Sequence, residues 1–568
     1  MPKAHVRTAG PTTPGSTAGY ATHEILNQPP DLVGYDSFGG DLALLETVER
    51  LGAGWACAHL NTVGRALGSD HVQLLARQAN RHVPELRTHD RFGHRVDEVE
   101  FHPAWHELMG LCFGHGLHAF AWTHADRDGA HVARAAISYL WNQGENGVCC
   151  PASMTYAAIP MLRIEPALAA EWESRVLSTE YDARQMPAHG KTGATVGMAM
   201  TEKQGGSDLR ATQTTAIPSG AGGPGEEYHI TGHKWFFSVP QSDLFFTLAR
   251  TAAGVSCFAV PGWLADGTRN HLLIQRLKDK CGNRSNASAE IEYRGAWGRM
   301  VGEDGRGIRT LIEMAHLTRL DCALSSAGLM RQAVSQAIHH CLHRTAFQLA
   351  LADQPAMQGV LADLALEAEA AMALAFRFAA AVDASGRNVT EAKLSRIGVP
   401  VAKYWVCKRA PTLVAESLEC HGGNGFIEDH LMARLYREAP LNGIWEGSGN
   451  VICLDVLRSV QRDPGCLDAW LDEVRRAAGG DRRLDDGIRR LERALSASEG
   501  LEARARAIVG AMATVMQASL LVRFAPPIVA DAFCASRLDD GLPAAGRAFG
   551  TLPPAADARA IVERARVV

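Results

Sequence analysis

Apolar positions recur at helical spacing over the first third of the chain, change to short alternating runs in the middle, and then return to helical spacing. Leu42, Leu44, Leu45, Val48 and Leu51 follow the helical habit, and the stretch 132–141 continues it, which predicts a helical domain over 41–190. From 191 to 305 glycine becomes frequent. β-prone runs appear at 195–201, 227–231, 244–249, 256–260, 271–275 and 290–293, divided by turns such as 220–225 and Asp304-Gly305. That texture predicts an antiparallel barrel or sandwich. Helical periodicity resumes over 306–460, with long Ala/Leu-rich stretches such as 359–381. Helices, then strands, then helices predict an α+β multidomain fold rather than a doubly wound sheet. A further helical domain is expected over 461–568, where Leu484, Ile488, Leu491 and Leu495 form one apolar stripe and Arg482, Arg489 and Arg493 lie opposite. Residues 1–40 begin with Pro/Thr/Gly-rich text, lack the apolar core of a secretory signal, and are expected to be a flexible tail.

Composition narrows the class without naming it. With 46% hydrophobic and 21% charged residues, the 568-residue chain has the balance of a globular protein with several cores. A net charge of -5 exerts no overall pull on nucleic acid or anionic membrane, so any such binding needs a local patch. No uninterrupted apolar run reaches the roughly 18 residues of a membrane span, and a cytoplasmic location is expected. The 13 cysteines lack framework spacing and read as reduced thiols, Cys149 and Cys150 included. There is no HExxH or paired CxxC, so no metal is expected; His115, His118, His124 and His131 read as surface or core histidines.

Four segments carry candidate chemistry, each with an ordinary structural alternative. In 200–208 (MTEKQGGSD), paired glycines beside hydroxyls let backbone amides approach an anion, though a Gly-Gly turn between strands looks the same. In 232–238 (GHKWFFS), strand alternation puts Phe236 and Ser238 on one face, suited to a planar heterocycle or to a sheet core. In 444–450 (IWEGSGN), Glu446 lies between Trp445 and a Gly-Ser-Gly turn, with an apolar run beyond it. An apolar flank raises a carboxylate's basicity, as proton abstraction requires, although capping or ion pairing is the alternative. The fourth, 420–426 (CHGGNGF), reads as a helix end and turn.

Together, in order, these segments resemble the acyl-CoA dehydrogenase superfamily, whose core runs helical, β, helical. The spellings at 201–208, 232–243, 276–288 (RLKDKCGNRSNAS) and 444–450 resemble its AidB-like branch, named for a protein of the adaptive response to alkylation damage. The resemblance implies FAD, with Met200, Thr201 and Ser207 at the pyrimidine edge and pyrophosphate, Phe236 where a Trp usually stacks, and Ser238 where a Thr bonds near N5. It also implies cofactor contacts from Gly206, Phe237, Trp445, Gly447 and Asn450, and from Arg344 and Gly422-Gly423 towards a neighbouring subunit's FAD in a homotetramer. Gln348 stands where Gly is usual, and Glu419 where Gln is common. Glu446 matches the base that removes the proton next to a thioester carbonyl while the adjacent carbon delivers hydride to flavin N5. Thr318 stands where some relatives place that base, and cannot replace it. Thr201, Ser207, Ser238, Arg319 and Arg458 are the implied substrate contacts.

The branch also ascribes double-stranded DNA binding to its C-terminal domain. Here 451–568 hold 17 Arg and no Lys against 16 acidic residues, so the segment is nearly neutral. Arg475, Arg476, Arg482, Arg483, Arg489, Arg490 and Arg493 form either a phosphate-facing stripe or a solvated helix face interrupted by Asp481, Asp485 and Asp486. Three functions follow as expectations: an AidB-like flavoprotein that binds duplex DNA, protects against alkylation damage and keeps a weak or specialised, isovaleryl-CoA-like dehydrogenase activity; an ordinary catabolic short- or branched-chain acyl-CoA dehydrogenase; or a non-catalytic FAD scaffold. The electron acceptor is not legible.

Overall fold

The computed structural model describes residues 22–497, 499–538 and 548–567. The first 21 residues of the expected tail lie outside that range, but residues 22–40 correct the expectation of flexibility. Leu32, Tyr35 and Phe38 are buried, and the Asn27 carboxamide pairs with both the N–H and the carbonyl of Thr345, at 2.8 Å each. Two glycines in the helix Cys57–Leu67 and its cap make the room. A Cβ on Gly64 would lie 2.6 Å from Phe38 N, and one on Gly68 2.0 Å from the Tyr35 carbonyl oxygen.

The first helical unit runs from Leu42–Arg50 to Pro166–Val176. It contains a hairpin that periodicity missed, β1 (Glu85–His89) and β2 (Arg95–Glu100). Its strands are short and mostly polar; only Leu86 and Val99, paired across the hairpin, turn apolar side chains to the barrel core, too few to stand out as a periodic run. Asp97 docks the hairpin on the β unit, its Oδ2 accepting from Arg95 Nε at 2.9 Å and from Ile274 N at 3.1 Å.

The middle strands are β3 (Val196–Ala199), β4 (Thr215–Pro218), β5 (Glu227–Ser238), β6 (Leu244–Arg250), β7 (Val255–Pro261), β8 (Leu272–Leu277) and β9 (Ser288–Val301). Pairings β6–β4, β4–β5, β5–β9, β9–β7 and β7–β6 close a barrel, with β3 added on β6 and β8 on β9. Most are antiparallel, as expected; β3–β6 and β4–β6 are parallel. Tyr228, Phe237, Phe245, Phe258 and Tyr293 fill the barrel.

Three long helices, Gly307–His343, Pro355–Ala384 and Val389–Glu419, form the second helical unit. The described residues beyond 461 pack onto it through buried ion pairs. Arg537 meets Asp363 and, at 3.1 Å, Glu367, while Arg377 reaches Glu473 and Glu391 at 2.9 Å each. The apolar stripe holds: Leu484, Ile488 and Leu491 are buried in the helix Arg482–Ser496. The helix Ala505–Phe524 is long and apolar enough to cross a membrane, with a mean hydropathy of 1.6, although Arg506, Gln517 and Arg523 interrupt its apolar run. Most of it is buried inside the fold, where it forms the core of this domain.

Candidate active site

Glu446 sits on a strained turn before the helix Gly449–Arg462. Its φ is +57°, in the left-handed region that L side chains avoid, and Gly447 follows at +110°. The turn is tied from three sides. Trp445 Nε1 donates to Asn442 Oδ1 at 3.0 Å, and Asn442 donates to Ser325 Oγ at 2.9 Å. Arg319 Nε donates to the Glu446 carbonyl at 3.0 Å. One oxygen of the carboxyl is left open: Oε2 is buried with no hydrogen-bond partner. Burial pushes the Glu446 carboxyl up, against the pull of Arg319, the Thr318 hydroxyl and Lys403. A carboxylate with raised proton affinity and an uncommitted oxygen is fit to take a proton from carbon.

The barrel supplies a cradle. Trp235 N donates to the Thr201 carbonyl at 2.8 Å. Beneath the loop 200–208, Lys234 Nζ, fully buried, donates to Glu202 Oε1 at 2.8 Å. Burial opposes the charge on Glu202, yet Lys234 holds its carboxyl down at about 2. Met200 and Thr201 are half-buried, and a Cβ on Gly206 would lie 2.2 Å from Thr201 Oγ1, so only glycine fits there. Phe236 is 52% exposed and Ser238 half-buried, as alternation predicts. Phe237 corrects the expectation of a cofactor contact from its side chain. Its ring is buried in the barrel, 4.4 Å from Phe245 and 6.5 Å from Tyr293.

The loop 278–287 links β8 to β9. Ser238 pairs with Ser288 across β5 and β9. Lys280 Nζ donates to Ser288 Oγ at 3.0 Å and to the Asn286 carbonyl at 2.7 Å, and burial lowers its pKa to about 8. The Cys150 thiol, pushed up to about 12 by burial, feels both Lys280 and Glu446. Lys278 Nζ stands 3.4 Å from the Trp235 ring and 4.8 Å from that of Phe236. Lys278, Lys280, Cys150 and Asn286 had no assigned role in the sequence, although the spelling of 276–288 marked the segment.

Other expected residues lie apart from this cluster. Arg319 is engaged by the Glu446 carbonyl and by Asp455 Oδ2 at 3.0 Å, so it holds the turn rather than presenting a free guanidinium. Arg458 is exposed and folds back on the Leu454 carbonyl at 3.2 Å; Asn450 is exposed on the first turn of its helix. Arg344 and Gly422-Gly423 form a second group, joined by the His340–His421 ring contact at 4.6 Å, with Arg344 bonded to the Asn27 carbonyl. Gln348 has φ +71°, the physical reason glycine suits that position. In the tail, Arg475 meets Glu492 at 2.6 Å, Arg476 Glu473 at 2.9 Å, Arg483 Asp481 at 2.5 Å, and Arg489 Asp486. Arg482 lies 3.8 Å from Asp486, Arg490 donates to the Leu538 carbonyl at 2.6 Å, and Arg493 is exposed.

Three family models cover most of the chain: the adaptive response protein AidB N-terminal domain over residues 27–183, the acyl-CoA dehydrogenase middle domain over 197–296, and the acyl-CoA dehydrogenase C-terminal domain over 305–461. The putative acyl-CoA dehydrogenase AidB of Escherichia coli K12 is 43% identical over 521 residues, 92% of this chain and 95% of that protein. The chain belongs to the AidB-like acyl-CoA dehydrogenases. The crystal structure of Caenorhabditis elegans ACDH-11 in complex with C11-CoA matches this AidB-like chain with a TM-score of 0.85 at 26% identity, covering 94% of this chain and 96% of that one. A Bacillus anthracis acyl-CoA dehydrogenase complexed with FAD shares the fold (TM-score 0.63, 17% identity), covering 76% of this chain and 80% of that one. The helices beyond residue 461 lie outside the three models.

FAD is the cofactor the family implies, and the residues fit it. The tight glycine turn at Gly206 and the exposed Phe236 ring offer a surface for a planar, anionic group, and Asn286 Oδ1 and Glu446 Oε2 are buried without hydrogen-bond partners. Among the described residues no cluster suits a metal.

Proposed function

We propose that this AidB-like protein is an FAD-dependent acyl-CoA dehydrogenase in which Glu446 removes the proton next to the thioester carbonyl. The observation that carries this reading is the buried, unpartnered Oε2 of Glu446 on a turn pinned by its neighbours. When bound, FAD supplies the two-electron acceptor for the second hydrogen, which leaves from the adjacent carbon. Met200, Thr201, Gly206, Ser207, Phe236 and Ser238 would hold its ring and pyrophosphate on the barrel side, with Trp445 and Gly447 facing from the helices. Arg344 and Gly422-Gly423 would reach the FAD of a neighbouring subunit in a homotetramer. Burial does two things for the reaction: it raises the proton affinity of Glu446 and excludes the water that would otherwise solvate it. The complex of ACDH-11 with C11-CoA supports an acyl-CoA as ligand. Among acyl groups, short branched chains of the isovaleryl type are our expectation. We place the protein in the cytoplasm.

The same reading includes duplex DNA binding by the C-terminal domain and protection against alkylation damage, which the 43% identity to AidB supports. A specific observation favours the alternative of an ordinary catabolic enzyme whose extra domain serves assembly: most of the tail arginines are engaged by acids or carbonyls. Anaerobic addition of isovaleryl-CoA to the FAD-loaded protein tests the chemistry, with bleaching expected in wild type and not in Glu446→Gln. Salt-dependent retention of duplex DNA, lost on truncation near residue 460, tests the second part; no retention at low salt favours the catabolic alternative.

A further inference from the structure

Two buried cations from two different helices converge on the turn that carries Glu446. Arg319, from Gly307–His343, donates to the carbonyl of Glu446 at 3.0 Å. Lys403, from Val389–Glu419, donates its Nζ to the next carbonyl, that of Gly447. Lys403 is 1% exposed, and a lysine so deep is rare unless its charge is answered. The groups around it are the Gly447 carbonyl, the thiols of Cys322 and Cys407, and the Glu446 carboxyl. Arg319 is in turn fixed by Asp455, which Arg396 also engages at 3.0 Å.

The turn needs holding. A non-glycine residue in the left-handed region is strained and persists only where its surroundings enforce it. The following glycine, at φ +110°, adds no stiffness of its own. Two charge-assisted hydrogen bonds to consecutive carbonyls fix both peptide planes. Those planes flank Gly447, so the turn cannot relax through its most flexible residue and the Glu446 side chain keeps its direction.

We propose that Lys403 is a positioning residue for the proton-abstracting carboxylate: with Arg319 it clamps the carbonyls of Glu446 and Gly447 and so holds the left-handed turn that aims the carboxyl. The inference rests on Glu446 being the base, and it adds a second property. The ionisable groups facing Glu446 are Arg319 and Cys322 on one helix, Lys403 on the second and Cys150 on a third, with the Thr318 hydroxyl beside them. Only Arg319 and Lys403 are cationic, so the clamp also tempers the rise in proton affinity that burial imposes.

Full-length, FAD-loaded Lys403→Met and Lys403→Arg proteins test this against wild type. A crystal structure of Lys403→Met is expected to show residue 446 out of the left-handed region or the Gly447 carbonyl rotated away. Flavin bleaching by isovaleryl-CoA and by C11-CoA is expected to slow by about 100-fold, with its pH limb moved upward as one of the two cations is lost, while Lys403→Arg keeps most of the wild-type rate. FAD content and melting temperature separate this from general unfolding. An unchanged turn in the Lys403→Met crystal overturns the proposal, as does a wild-type rate and pH limb. If wild type bleaches with neither acyl-CoA, the dehydrogenase reading fails instead, and the crystal structure still decides the clamp.

Discussion

Replacing Lys234 by Met removes the cation beneath the 200–208 loop and should loosen the cradle from below. Its Nζ lies fully buried, donating to Glu202 Oε1 and to the Leu248 carbonyl, both at 2.8 Å. Glu202 keeps the backbone N–H groups of Gln213 (2.7 Å) and Thr214 (3.2 Å) but loses its only buried counter-charge among the described residues. Breaking a buried pair from one side costs about 3–5 kcal/mol. Against burial, the Glu202 carboxyl falls from its ordinary 4.5 to about 2, through Lys234 first and then hydrogen bonds from Thr214 and Gln213, while burial lowers the Lys234 ammonium in turn. Because that pKa is depressed in the folded state, the stabilisation is fully present above pH 4.5 and is lost as pH falls towards 2. Urea unfolding at pH 7 should therefore show Lys234→Met less stable by about 3 kcal/mol, with the gap narrowing below pH 4.5. Adding Glu202→Gln should restore part of the loss, since a neutral amide needs no cation. FAD should leave the single variant more readily than wild type. A loss under about 1 kcal/mol at pH 7, with the same FAD affinity, would refute the reasoning.

Other expectations follow from the same geometry. Glu446→Gln should retain FAD yet bleach with acyl-CoA at least about 100-fold more slowly, measured by anaerobic stopped flow. The wild-type bleaching rate should rise with pH through a carboxyl pKa above 4.5, since burial raises it and the ionised form is the base; a rate falling over that range would contradict the assignment. Arg537→Met strands Asp363 and Glu367 in the core and should cost about 3–5 kcal/mol by thermal or urea unfolding. Gly206→Val, whose Cβ meets Thr201 Oγ1, should release FAD while leaving the far-UV circular dichroism unchanged.

Periodicity located the units because each buries one face. The stripe Leu484, Ile488 and Leu491 and the strand alternation at Phe236 and Ser238 are both present in the structure. It missed the hairpin Glu85–Glu100, which turns only Leu86 and Val99 to the barrel core, and the docked arm at residues 27–38, whose few apolar side chains fill gaps left by Gly64 and Gly68. The Glu446 turn was legible as a motif, but its strain and its clamp were not. Lys403 lies 43 residues away in the chain, inside a helix with nothing local to mark it. Phe237 illustrates the opposite error, since a motif names neighbours without saying which face each one takes.

The visible spectrum of the purified full-length protein, supplied with FAD and then titrated anaerobically with isovaleryl-CoA and C11-CoA, tests the central claim most directly. The account predicts a yellow protein whose colour is bleached by a saturated acyl-CoA in wild type and persists in Glu446→Gln. A folded protein that stays colourless with FAD, or one bleached equally with and without the Glu446 carboxyl, would contradict it.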